Sequence, residues 1–82
     1  MTKNERERTM TNHEETIESH VDSNVSAAID RADEFGGMEN AFFSFMQNTV
    51  DSVREDGYSP QEAFEAGNCF CVKFNAVTGM AL

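Results

Sequence analysis

Leucine is almost missing from this chain. Leu82 is the only one, and Ile17 and Ile29 are the only isoleucines. A core must therefore be assembled from phenylalanine, valine, methionine and alanine, with seven Phe carrying most of the apolar payload. Two cysteines, Cys69 and Cys71, are too few for a disulfide framework, and their spacing is too tight for an unstrained bridge. That pattern fits a reducing compartment. No apolar run reaches the roughly 18 residues of a membrane span, and the opening MTKNERERTM is too polar for a signal peptide. A soluble, cytoplasmic protein without membrane contact is expected.

Positive charge is the other scarcity. Six bases face fifteen acids, for a net charge of −9. Lys3, Arg6 and Arg8 sit in the leading segment, so from residue 10 onward only Arg31, Arg54 and Lys73 oppose thirteen acids. Such a surface repels nucleic acid and anionic lipid and attracts basic protein surfaces, including those that hold nucleic acid. Solubility, or adaptation to high salt, produces the same balance without any partner.

Catalytic signatures are lacking as well. The chain contains no P-loop, GxGxxG, HExxH or GxSxG pattern. No catalytic residue, cofactor or metal ligand set is assigned, and a non-enzymatic protein is expected. Cys69 and Cys71, two apart, would point away from each other on a helix and could share a metal only on a strand. His13 and His20 lack the tight paired spacing of a zinc site. The cysteines are expected to be small buried hydrophobes. The histidines are expected at the solvent edge of the core stripe, with a pH-responsive patch as the alternative.

At 82 residues the chain has room for one small domain with a modest core. Residues 1–11 are polar and without period, and read as a disordered leader; residues 12–82 read as one helical domain. Over 12–35, Asn12 is a plausible N-cap with Glu15 completing a capping box. Apolar residues then recur at helical spacing at Ile17, Val21, Val25, Ala28, Ile29, Ala32 and Phe35. Gly36-Gly37 supplies the stop. A second helix, 38–56, carries the stripe Met38, Ala41, Phe42, Phe45, Met46, Thr49, Val50 and Val53, with Phe43 off it, and ends at Gly57. Ser59-Pro60-Gln61-Glu62 is a capping box with proline at N1 and starts a third helix.

The segment GNCFCVKFNAVTGMAL at 67–82 holds both cysteines and almost no charge. As helix, one side carries Phe64, Cys71, Phe74 and Thr78, and an adjacent side Ala63, Ala66, Phe70 and Val77. As strand, Phe70, Val72, Phe74 and Ala76 would alternate with Cys71, Lys73 and Asn75 after a stop at Gly67-Asn68. The fold expected is all-α, a small three-helix domain with the third helix starting near Pro60. Two helices plus a short helix and a C-terminal strand paired across a dimer is the alternative. In either case Phe70, Phe74 and Val77 form core or a self-association face, and a homo-oligomer is expected.

The acids are crowded where helices disfavour them. Glu14, Glu18 and Asp22 form an i, i+4 row, while Asp30, Asp33 and Glu34 crowd the end of the first helix and Glu55 and Asp56 the end of the second. Carboxylates at a helix C-terminus oppose the macrodipole, and like charges one turn apart repel. Carboxylates one turn apart also lie about 6 Å from each other, close to the spacing of successive phosphates on a nucleic-acid strand. These eight acids are the candidate partner-binding surface. The function expected is an inhibitor or regulator that mimics nucleic acid and occludes a basic surface of a target protein. Small anti-defence proteins of phages and mobile elements are similar in this respect. The alternative is a helical subunit or adaptor working through its apolar face, with acidity only for solubility or high salt.

Overall fold

The scarcity of large aliphatic residues is met by a bundle in which three phenylalanine rings from two helices interlock. A computed structural model describes residues 13–82, so the leader and Asn12 lie outside the described residues. Three α-helices follow one another: α1 (Ile17–Asp30), α2 (Met38–Glu55) and α3 (Pro60–Thr78), with a 3₁₀ turn, Ala32–Phe35, between α1 and α2. The described residues are 79% helical and contain no strand. This is a small all-α three-helix domain, and no helix among the described residues is long and apolar enough to cross a membrane.

The core is the apolar stripe of each helix. Val21, Val25 and Ala28 of α1, with Ala32 just beyond, meet Ala41, Phe42, Phe45 and Val53 of α2 and Ala63, Ala66, Phe70 and Phe74 of α3. Phe42, Phe70 and Phe74 lie with ring centroids 5.2 to 5.8 Å apart, the separation at which aromatic pairs attract beyond their area burial. Phe70 and Phe74 are therefore core of the single chain, both fully buried, and they hold no surface for self-association. Val77, expected beside them, is 66% exposed. It sits one residue before the end of α3, where no neighbouring helix covers its side. Phe64 is likewise exposed, because α3 buries one face rather than most of its circumference.

The first helix begins later and ends earlier than periodicity alone predicts. Its N-cap is Thr16, whose side chain accepts from the Ser19 amide at 3.0 Å, and residues 13–16 are not helical. The amides of Glu14 and Glu15 go instead to the Asp56 carboxylate, so a tertiary partner takes the place of a further helical turn. At the other end the chain tightens into the 3₁₀ turn after Arg31. Gly36, at φ 90°, closes it by donating to Asp33 at 3.3 Å. This brings Phe35 edge-on to Phe45 at 5.2 Å.

The third helix runs unbroken through Gly67-Asn68, which removes the strand alternative. Gly67 is there for close approach: a Cβ on it would stand 2.9 Å from Cγ2 of Val50 on α2. The start of α3 is the expected capping box. The Ser59 hydroxyl accepts from the Glu62 amide at 3.1 Å, and the Glu62 carboxylate accepts from the Ser59 amide at 3.0 Å. Buried polar groups are satisfied locally. Thr49 donates to the Phe45 carbonyl at 2.8 Å, and Asn24 donates to the His20 carbonyl at 2.8 Å while accepting from Asn48 at 2.6 Å.

The close α2–α3 approach generates a test. Gly67→Ala should destabilise the fold by about 1 kcal/mol, although alanine is the better helix former by a similar amount. The loss should shrink in a Val50→Ala background. A denaturant double-mutant cycle measures this, and additive single effects would contradict the contact.

Candidate partner-binding surface

The eight acids that read as one surface in sequence divide into three groups with different partners. Glu18 and Asp22, successive turns of α1, bracket the Lys73 ammonium of α3 at 3.3 and 2.9 Å. The Asp22 hydrogen bond is the main reason that the Lys73 pKa is raised. Asp30, Asp33 and Glu34 crowd the junction of α1 and the 3₁₀ turn and are all exposed. Glu34 pairs with Arg31 at 3.0 Å. The Arg31 guanidinium also lies over the Phe35 and Phe45 rings, 5.6 and 5.9 Å from their centroids, so it is held against the body of the bundle. Glu14, Glu55 and Asp56 come together at the opposite end of α1, about 20 Å away by the helical rise. There they line an open cleft with Glu15, His20 and Ser52.

Asp56 has a structural task within that cleft. Its side chain is 10% exposed. One carboxylate oxygen accepts from the Glu14 amide at 2.8 Å, and the other accepts from the Glu15 amide at 3.1 Å and from His20 Nε2 at 2.9 Å. As the C-cap of α2 this charge is in an unfavourable place, but the same charge faces amides just before the N-terminus of α1, where an anion is favoured. The Glu14 amide above all, then the His20 hydrogen bond, lowers its pKa from 3.8 to about 2. Little of this carboxylate is left for an external partner.

The two histidines converge on the same residue instead of lining the solvent edge. His20 is buried. His13 Nδ1 donates to the Asp56 carbonyl at 2.8 Å, and its ring stacks on Tyr58 with centroids 3.6 Å apart. Tyr58 in turn donates to the Glu15 carbonyl at 2.7 Å. Burial, followed by the Asp56 charge, raises the Tyr58 pKa, so its hydroxyl stays a donor. The segment before α1 is thus clasped to the α2–α3 link by side chains whose sequence separation exceeds 35 residues. Helical periodicity carries no signal for contacts of that kind.

Sequence reasoning missed two acids of this region. Glu15 lines the cleft, and Asp51 lies with Arg54 and Glu55 on the adjacent exposed face of α2. The i, i+4 spacing of Asp51 and Glu55 is the signal that could have found the second.

The cysteines separate as well. Cys69 is exposed, which corrects its assignment to the core, while Cys71 is half-buried and donates to Met46 Sδ at 3.2 Å. Burial raises the Cys71 pKa. Among the described residues no group of three or more His, Cys, Asp or Glu side chains is arranged to hold a metal ion. Comparison of the chain with protein-family models, with curated proteins and with solved structures finds no match.

Two outcomes follow from this geometry. Asp56 has a lower pKa folded than unfolded, so the stability it contributes is complete above about pH 4 and is lost as pH falls toward 2. Asp56→Asn should cost about 2 kcal/mol at pH 7, and the difference from the parent chain should close as both are titrated toward pH 2. Denaturant melts across pH measure this. Separately, a maleimide reagent should label Cys69 well before Cys71 at mildly alkaline pH, as read by mass spectrometry. Equal rates would contradict the Cys71–Met46 contact.

Proposed function

We propose that this protein is a non-enzymatic acidic binding module that occludes a basic, nucleic-acid-binding surface of a target protein in the cytoplasm. One observation carries the reading: the described residues hold thirteen acids against three bases, and the bases are already engaged or surrounded. Lys73 is clamped between Glu18 and Asp22, Arg31 is held by Glu34 and two rings, and Arg54 lines one shallow groove with Asp51 and Glu55. The field leaving the surface is therefore negative along its length, which favours fast association with a cationic groove and rejects nucleic acid itself.

The contacts fall to the carboxylates that face solvent. Asp30 and Asp33 at one end of α1, and Glu14, Glu15, Asp51 and Glu55 at the other, present charge at two places about one α1 length apart. Such an arrangement suits a groove that follows a nucleic-acid backbone. It is the strategy of a phage or mobile-element inhibitor that takes the place of nucleic acid.

Asp30→Lys with Asp33→Lys is the discriminating variant. Glu34 is left unchanged because its carboxylate bonds Arg31. Cations suit a helix C-terminus, so melting should stay level or rise slightly, by a few tenths of a kcal/mol. Binding to the target should weaken about tenfold or more. The target is obtained by passing lysate of the producing cells over immobilised protein and eluting with salt, and it is then assayed for DNA and RNA binding by gel shift. Added protein should displace the nucleic acid, with an affinity that falls steeply with ionic strength. Captured proteins that keep their nucleic acid at saturating protein would overturn the proposal.

A further inference from the structure

The link between α2 and α3 holds the chain's single Asp-Gly pair, Asp56-Gly57, and the sequence has no Asn-Gly. Each residue of the pair has its own structural reason to be there. Asp56 receives the amides of Glu14 and Glu15 and the ring N–H of His20. Gly57 stands at φ 96°, a conformation that residues with a Cβ resist, and its N–H donates to the Arg54 carbonyl at 3.0 Å. Together the two make a labile junction. A glycine nitrogen has no side chain beside it to obstruct attack on the preceding carboxyl carbon.

We propose that Asp56-Gly57 is a covalent modification site, an aspartate-to-isoaspartate junction kept closed by the clasp of His13, His20 and Tyr58 and released when that clasp opens. The reaction needs no partner except water. The Gly57 nitrogen bonds to Cγ of Asp56, and one carboxyl oxygen leaves as water, taking the amide proton and its own. Water then opens the resulting five-membered succinimide at either carbonyl. Opening at the original main-chain carbonyl leaves the backbone running through Cβ and Cγ, with the free carboxylate now on Cα.

The folded chain blocks the first step in three ways. Ring closure requires the Gly57 nitrogen to eclipse Cβ about the Cα–C bond of Asp56. At ψ 2° it eclipses the nitrogen of Asp56 instead, roughly a third of a turn away. Turning it breaks the bond to the Arg54 carbonyl and the Tyr58–Val53 backbone bond at 3.3 Å. Next, oxygen leaves as water only from a protonated carboxyl, and the donors to Asp56, led by the Glu14 amide, lower its pKa to about 2. Last, the link is pinned from outside. His13 bonds the Asp56 carbonyl and stacks on Tyr58, whose hydroxyl bonds the Glu15 carbonyl. All three locks lie in the clasp and the link, away from the aromatic core, so a local opening is enough to release them. Isoaspartate cannot restore the clasp, because its carboxylate has moved from Cγ to Cα. Conversion is thus a lasting mark of a chain that has opened.

The full chain tests this with no target present, so the result is separate from the fate of the occlusion reading. It is held in warm neutral buffer with and without denaturing urea, and isoaspartate at position 56 is counted by mass spectrometry of its peptides with electron-transfer fragmentation. The native chain should convert at least about tenfold more slowly than the unfolded one. Tyr58→Phe removes the hydroxyl bond to Glu15 and keeps the ring. His20→Leu removes a donor to Asp56 and fills the space. Each should convert several times faster than the parent while still melting cooperatively, and Tyr58→Phe alone carries the comparison if His20→Leu does not fold. A native chain that converts as fast as the chain in urea overturns the proposal. So do folded variants that convert no faster than the parent.

Discussion

Contact among Phe42, Phe70 and Phe74 is what the rest of this structure depends on. With one leucine and two isoleucines in the chain, Phe70 and Phe74 are the largest fully buried side chains among the described residues, and Phe42 at 2% exposure meets both. The three rings lie where α2 and α3 converge, and the small residues around them are consequences of that convergence. Ala41, Ala63 and Ala66 are fully buried, and Gly67 leaves room for Val50. Small residues bring the helix backbones close, and the rings fill the space that remains. A core of this kind concentrates its stabilisation in a few positions, so truncation of one ring is expected to cost several times what loss of a buried valine methyl would.

The charge distribution is built around the same bundle. Carboxylates crowded by like charges or by a helix C-terminus find compensation in three dimensions: Asp56 takes amides from before α1, Glu18 and Asp22 share Lys73, and Glu34 holds Arg31. Of the other exposed acids, most lie at the two ends of α1, and Glu65 stands on the outer side of α3.

Much of the fold was legible in the sequence because its signals are local. The stripe of α2 is buried or half-buried at every position that periodicity named, and the Ser59–Glu62 capping box appears as read. The errors have a common cause. Helix periodicity over 12–35 could not reveal that amides before Thr16 are taken by a carboxylate more than 40 residues away, nor that the last turn tightens to 3₁₀. Phe64 and Val77 share apolar character with Phe70 and Phe74, and only the direction from which α1 and α2 approach decides which of them is covered. For the acids, sequence counted charge correctly but could not divide it. Asp56 and Glu55 are neighbours in the chain, yet one is a structural anchor and the other faces solvent.

The central claim is that this acidity serves contact with a partner and is not a requirement of folding at high salt. The response of stability to ionic strength tests it most directly. Internal pairing and the aromatic core should hold the bundle folded at low-millimolar salt, with a cooperative melt that shifts only modestly as salt is raised to the molar range. A chain that is unfolded at low-millimolar salt and folds only as molar salt is added would contradict the claim, and would assign the acidic surface to salt adaptation.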